Sequence, residues 1–416
     1  MPNDQEIQRL PGSFAQHYSV MCKPLGPVCN LNCDYCYYLS KESLLGNSGV
    51  VPIPEDVLER YVRSYIESND AVEIVFDWQG GEPTLLGLDF FRKVVEFQNR
   101  HCPPSKSVVN NLQTNGTLLD EEWCDFLKRN GFLVGLSIDG PKELHDTYRK
   151  AKGGQPTFDR VMASAKMMKK RGVMFNTLTV INRVNARYPL DVYRFLTREV
   201  GARLVQMIPM VEPKGFEKTA PMHWDVERMP VTGTPAARPG NPESVVYDWS
   251  VDPEELGAFL CRVFDEWWNR DIGRHFVNLF ETSAAAWAGM PAQICVFAEI
   301  CGKAVVLERD GSLYSCDHFV YPEYRLGNVM EKSLPDMVFS GRQALFGMNK
   351  SSLLPAYCQA CKYRFACHGE CPRNRFVRTP DGEPGLNYFC PGLKRFFGHA
   401  DERLKELVRK MQLTRR

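Results

Sequence analysis

A chain of 416 residues, 44% hydrophobic and 24% charged, has the composition of an ordinary globular protein with room for a large core and one appended domain. Its net charge of +1 gives no basic footprint for nucleic acid, and no run of about 18 apolar residues offers a membrane span, so neither partner is expected. The N-terminal stretch lacks a basic start followed by an apolar segment, which reads as no export signal and makes the cytoplasm the expected compartment.

Along the first half, β-type runs alternate with helical periods. Strands are expected over 17–23, 72–78, 107–113, 133–138, 174–181 and 203–208, with amphipathic stretches over 55–67, 88–100, 121–128, 158–171 and 188–200 between them. This alternation predicts a mostly parallel sheet covered by helices, either open α/β or a barrel. Polar and glycine residues gather where the strands end: Cys29 and its neighbours, Gln79-Gly80-Gly81-Glu82, Thr114-Asn115-Gly116, Ser137-Ile138-Asp139-Gly140 and Glu212. Turn chemistry explains one or two such groups. Five of them point to the strand edge where parallel α/β architectures bind ligands.

The stretch 213–250 is rich in Pro, Gly and charge and reads as an insertion or linker, a candidate lid. A helix over 253–269 follows, with Phe259, Phe264, Trp267 and Trp268 suited to core packing. Cysteine dominates from 295 to 390, which reads as a separate small domain held together by metal sites. A basic helix over 393–411, its charges a solvated face, closes the chain.

Fifteen cysteines stand out, eleven of them in close-spaced groups. A reducing compartment disfavours disulfides, so the grouping points to metal ligation. Cys29-x3-Cys33-x2-Cys36 supplies three thiolates from one loop. On a [4Fe–4S] cluster that leaves one iron open to a small chelating molecule, whereas zinc normally has a closed fourth position, and no fourth ligand follows nearby. Cys295, Cys301, Cys316, Cys358, Cys361, Cys367, Cys371 and Cys390 are enough for two fully ligated clusters. Zinc ribbons are the rival there, since Cys358-x2-Cys361 alone fits one. Cys22, Cys102, Cys124 and Cys261 read as small buried apolar residues.

CxxxCxxC with Tyr35 before the third cysteine resembles the radical S-adenosylmethionine (SAM) superfamily signature. The resemblance implies a cluster on Cys29, Cys33 and Cys36, with S-adenosyl-L-methionine on the open iron. Gln79-Gly80-Gly81-Glu82-Pro83 looks like the family's GGEP segment, whose backbone and carboxylate receive the SAM amino group. Ser137 in SIDG resembles a contact to the ribose or methionine part, and Arg149 in HDxxR a SAM carboxylate partner. A last contact falls at Met210 or Val211 and is assigned to Val211.

The cysteine-rich part resembles the SPASM domain of peptide-modifying radical SAM enzymes, and nearly the whole chain is similar to the anaerobic sulfatase-maturating enzyme family. That likeness implies an α/β fold: a partial (β/α)6 TIM-like barrel over 14–250 with an insertion at about 213–250, a connecting helical segment over 251–294, a SPASM domain over 295–391 and a terminal helix over 392–416. It implies three [4Fe–4S] clusters, with Cys295, Cys301, Cys316 and Cys371 on one auxiliary cluster and Cys358, Cys361, Cys367 and Cys390 on the other. It also makes Asp317, directly after Cys316, the proton acceptor, where an unaided reading sees a turn cap. His318 reads as packing or hydrogen bonding.

The implied reaction oxidises a Cys or Ser in a C/S-x-P-x-R motif of an unfolded sulfatase to Cα-formylglycine through a 5′-deoxyadenosyl radical, with flavodoxin or ferredoxin as electron donor. Two rival readings remain. One is a SPASM enzyme that makes thioether or carbon–carbon crosslinks. The other is a non-catalytic iron–sulfur or zinc protein, which has no use for the GGEP, SIDG and HDxxR segments.

Overall fold

The computed structural model describes residues 17–45 and 49–414. The N-terminal stretch read for an export signal lies almost wholly outside them, as do the expected domain start at 14 and the last two residues.

All six expected strands form, with boundaries shifted by a residue or two: β1 (Ser19–Lys23), β2 (Glu73–Trp78), β3 (Ser107–Thr114), β4 (Leu133–Ser137), β5 (Phe175–Ile181) and β6 (Leu204–Pro209). They pair in parallel and in sequence order, and a short β7 (Phe276–Val277) extends the series. An open doubly wound sheet would reverse its strand order; this monotonic winding is that of a barrel. The intervening helices carry the expected signals. Helix Glu121–Arg129 is capped by Asp120, whose carboxylate accepts from Trp123 N at 2.9 Å, with acids in its first turn and Lys128 and Arg129 in its last. Helix Phe158–Arg171 stops at Gly172, which adopts the left-handed conformation.

Alternation along the strands sorts two environments. Val20 and Cys22 of β1 and Ile74, Phe76 and Trp78 of β2 are buried against the helical layer, where they meet Tyr61, Tyr65 and Phe91. Each such large side chain stabilises the fold by about 1.5–3 kcal/mol. Met21 packs on the opposite face with Tyr38 and Val306, and Lys23, two positions on, shares that inner face.

The cysteine-rich segment is joined to the barrel through the main sheet. Its first part forms β8 (Ala304–Glu308), β9 (Ser312–Tyr314) and β10 (Arg325–Asn328), and β8 lies parallel to β1 over its whole length. The result is one ten-stranded sheet in the order β10-β9-β8-β1-β2-β3-β4-β5-β6-β7. The auxiliary segment thus continues the sheet next to the strand that leads to the first cysteine loop.

Residues 213–250 are pinned rather than free. Phe216 and Trp224 are buried against Phe376, and Phe216 O accepts from Tyr321 Oη. The terminal helix, Cys390–Thr414, has a solvated face, but it also buries Leu393, Phe396, Phe397, Ala400 and Leu404 and packs on helix Pro253–Glu266. Among the described residues no helix is long and apolar enough to cross a membrane.

Candidate active site

The loop after β1 carries Cys29, Cys33 and Cys36, and the loop after β2 lies directly on it. Gly81 N donates to Gly26 O at 2.8 Å and Glu82 N to Val28 O at 2.9 Å. A Cβ on Gly81 would overlap the Val28 carbonyl, and Gly80 has φ +132°. Both glycines are therefore required by the approach of the protein's own two loops. Gly81→Ala is expected to destabilise the fold by about 1–3 kcal/mol, read by denaturant unfolding of the iron-loaded protein.

Glu82 is buried, and its carboxylate accepts from Thr84 N (3.1 Å), Thr84 Oγ1 (2.6 Å), Thr114 Oγ1 (2.7 Å) and Asn115 N (2.7 Å). It joins the ends of β2 and β3, and Asn115 Nδ2 in turn lies 3.8 Å from Cys29 Sγ. Three of the four donors to Glu82 reach Oε1 and one reaches Oε2. Asp139 of the SIDG segment takes both Arg149 Nε (2.9 Å) and Nη2 (3.1 Å), the Tyr35 hydroxyl and Val180 N (3.0 Å). Ser137 Oγ accepts from Gln113 Nε2 at 2.9 Å. Gln79, half-buried, is held by its N–H to Cys22 O at 2.9 Å. Val211 is buried with its carbonyl taken by Arg373 Nη1 at 2.9 Å, while Met210, the alternative register, packs with Tyr35 and Val180.

Burial pushes the Cys29 thiol up to about 12, with Glu82 adding to the shift, and raises Cys33 and Cys36 as well. Three half-buried thiols in one another's fields become thiolates only beside a strong positive centre, which the iron of a cluster supplies. The all-sulfur donor set fits that group.

The eight cysteines between 295 and 390 sort into two sets. Cys358, Cys361, Cys367 and Cys390 line one cavity with Tyr357, Leu393 and Phe397. Cys295, Cys301, Cys316 and Cys371 form the other: Cys295 lies in the field of each of the other three, and Lys350 acts on Cys295, Cys301 and Cys371. Cys371 thus crosses between Cys367 and Cys390 in sequence to join the other set. Lys350 is 1% exposed; its ammonium donates to Cys295 O (2.6 Å) and Val296 O (2.9 Å), and its charge faces Cys371 and Cys301. Arg375 stands likewise near Cys371 and Cys358. Buried cations need counter-charge, and thiolates provide it, so these sets fit anionic clusters. Among the described residues no three such side chains converge on the position of a single metal ion.

Asp317 lies where the first loop meets the auxiliary segment. One carboxylate oxygen pairs with Lys23 Nζ and the other accepts from the Tyr37 hydroxyl. Burial raises the carboxyl, but the Lys23 ammonium, His318 and the two hydrogen bonds outweigh it and hold the group at about 2. Around it stand Arg373, paired with Glu212, and Lys41, which burial lowers to about 7 over the Tyr321 ring. His318 Nδ1 lies 3.6 Å from Cys371 Sγ. Sequence reasoning missed Lys23, Tyr37, Lys350 and Arg373. The one signal for Lys23 was a lone cation ending an apolar strand.

Fold and site together define a radical SAM oxidoreductase with an appended auxiliary iron–sulfur domain. A model described as the radical SAM superfamily matches residues 24–196, and one described as an iron–sulfur cluster-binding domain, SPASM, matches 295–362. The chain is 43% identical to a serine-type anaerobic sulfatase-maturating enzyme of Bacteroides thetaiotaomicron over 93% of this chain and 90% of that one. It is 34% identical to a cysteine-type enzyme of Clostridium perfringens, covering 93% and 97%. The chain belongs to the anaerobic sulfatase-maturating enzyme family. Its structure is similar to that of native anSMEcpe with bound AdoMet and Kp18Cys peptide, with a TM-score of 0.80, 32% identity, and 94% of this chain and 99% of that one covered. It binds a [4Fe–4S] cluster and S-adenosylmethionine in the first domain and auxiliary iron–sulfur clusters in the second.

Proposed function

We propose that the protein oxidises a serine or cysteine of a sulfatase peptide to Cα-formylglycine, with Asp317 as the proton acceptor. The observation that carries this reading is the Asp317 carboxylate, ionised and 21% exposed, one residue from Cys316 and bonded to the Tyr37 that follows Cys36. A cluster held by Cys29, Cys33 and Cys36 would, with S-adenosylmethionine, supply the hydrogen-abstracting 5′-deoxyadenosyl radical chemistry, and clusters held by the auxiliary cysteines would supply an electron acceptor.

The chain's own residues bind and orient. The backbone of residues 79–81 and Glu82 Oε2, which takes a single protein donor, are the GGEP contribution to an ammonium. Arg149 offers a SAM carboxylate the donors that Asp139 leaves over, and Ser137 a hydroxyl for the ribose or methionine part. Asp317 takes the O–H or S–H proton. Serine then loses one hydrogen atom from Cβ, one proton and one electron, leaving the aldehyde. Cysteine loses the same and gives a thioaldehyde that water converts to the aldehyde and hydrogen sulfide. The reading keeps units over 14–250, 251–294, 295–391 and 392–416, a cytoplasmic location, and flavodoxin or ferredoxin as donor.

Anaerobic incubation with a peptide carrying C/S-x-P-x-R tests it. The expected product traps with a hydrazide, a serine peptide having lost two hydrogens. A crosslinked product with no aldehyde would replace this reading by that of a crosslinking SPASM enzyme.

A further inference from the structure

Lys23 is the last residue of β1, on the inner face of the sheet and 2% exposed. A lysine this buried needs a carboxylate partner, and the register offers one: Glu308 is its direct neighbour across β8. The pair does not form. The Tyr38 ring lies against Lys23 Nζ, 3.3 Å from the ring centroid, while the Tyr38 hydroxyl donates to Glu308 Oε1. Lys23 instead reaches Asp317, 294 residues away in sequence. The two ends of that ion pair differ in exposure, 2% for Lys23 and 21% for Asp317, so the carboxylate is the end that opens toward a substrate.

We propose that Lys23 is the positioning residue for Asp317. Held by its strand and the Tyr38 face, it fixes one carboxylate oxygen, Tyr37 fixes the other, and together they set the orientation in which the acid meets the target hydroxyl or thiol. Tyr38 keeps Lys23 from its cross-strand glutamate and so reserves the cation for Asp317. Lys23 acts in this role through Asp317, and because its charge also reaches Cys36, iron content is read separately from product. The inference rests on Asp317 being the proton acceptor.

The test compares Lys23→Met with Asp317→Asn in reconstituted, full-length enzyme. Iron content, peptide affinity by fluorescence anisotropy, 5′-deoxyadenosine and aldehyde are all measured. Lys23→Met is expected to keep its iron and to bind peptide within about twofold of wild type, while aldehyde formed per 5′-deoxyadenosine falls about 10²-fold, because a misplaced acid fails at the chemical step and not at binding. Lys23→Gln, which keeps an N–H donor on a shorter arm, is expected to fall about tenfold. A wild-type product ratio from either iron-replete variant overturns the proposal, as does loss of iron from both, since Lys23 would then serve only the fold. If Asp317→Asn itself makes full product, the proton-acceptor reading fails first; if it does not and Lys23→Met does, only the positioning role fails.

Discussion

Cys36→Ala is expected to abolish cleavage of S-adenosylmethionine and to lower bound iron from about twelve to about eight atoms per chain, leaving the auxiliary content in place. Of the three loop thiols, Cys36 is the one whose surroundings are most plainly built for a thiolate. Burial raises it, but the nearby backbone N–H groups of Tyr38 and Leu39 and the charges of Arg149 and Lys23 favour its thiolate. Alanine leaves those donors in place with nothing to receive them, so iron cannot be retained by a simple shift of the loop. The loop's attachments elsewhere are independent of the sulfur: Asn32 N to Lys150 O at 2.8 Å, Asp34 N to Tyr148 O at 3.1 Å, and the Tyr35–Asp139 bond. The variant should therefore fold, and its far-UV circular dichroism and peptide affinity should match wild type. 5′-Deoxyadenosine from an iron-depleted Cys36→Ala protein, or tightly held zinc in place of iron in the wild type, would remove the foundation of the assignment.

The parts of this molecule legible in its sequence are those encoded locally. β2 reads Glu-Ile-Val-Phe-Asp-Trp, and its alternation alone announces a strand with one face buried. The spacing of Cys29, Cys33 and Cys36 needs no long-range information, because one loop delivers all three sulfurs. What the sequence hid depends on which strand lies beside which. Residues 304–308 are apolar enough to be a strand, yet nothing in them says that they pair with β1, nearly 300 residues earlier in the chain. That pairing joins the strands of the appended domain to the barrel sheet, and it also brings Asp317 to Lys23. The structural part of Glu82 was hidden for a related reason: two of its four donors, Thr114 Oγ1 and Asn115 N, come from the end of β3, over 30 residues on, so the motif alone does not show that the carboxylate also joins two strands. The charged face of the terminal helix was visible, but not its buried Phe396 and Phe397, because a 25-residue helix can show both faces and composition averages them.

Asp317→Asn is expected to lower aldehyde formation by about 10²- to 10⁴-fold while 5′-deoxyadenosine continues to form. Asparagine keeps the shape and can still accept a hydrogen bond from Tyr37, so the auxiliary segment and the first loop stay joined. It cannot hold a proton. Lys23 is left buried without a counter-ion, a cost that falls on stability and is read separately by denaturant unfolding of the iron-loaded protein. The order of events follows from how weak a base the carboxylate is. Held at about 2, Asp317 is far too weak a base to deprotonate a resting serine or cysteine, whose unperturbed pKa values lie many units higher. It becomes competent only when the target carbon has already lost a hydrogen and the electron left behind is departing, for then the O–H or S–H is strongly acidic. This ordering protects the enzyme from stripping protons off unreacted peptide. It also means that the proton and the electron leave together, and that blocking the proton blocks the electron. In the Asn variant the substrate radical should therefore persist or recover its hydrogen. The diagnostic result is hydrogen exchange without net oxidation: with peptide deuterated at Cβ, deuterium appears in 5′-deoxyadenosine at near wild-type rate while the hydrazide-reactive product is missing. Aldehyde at the wild-type yield per 5′-deoxyadenosine would take the proton acceptor away from Asp317.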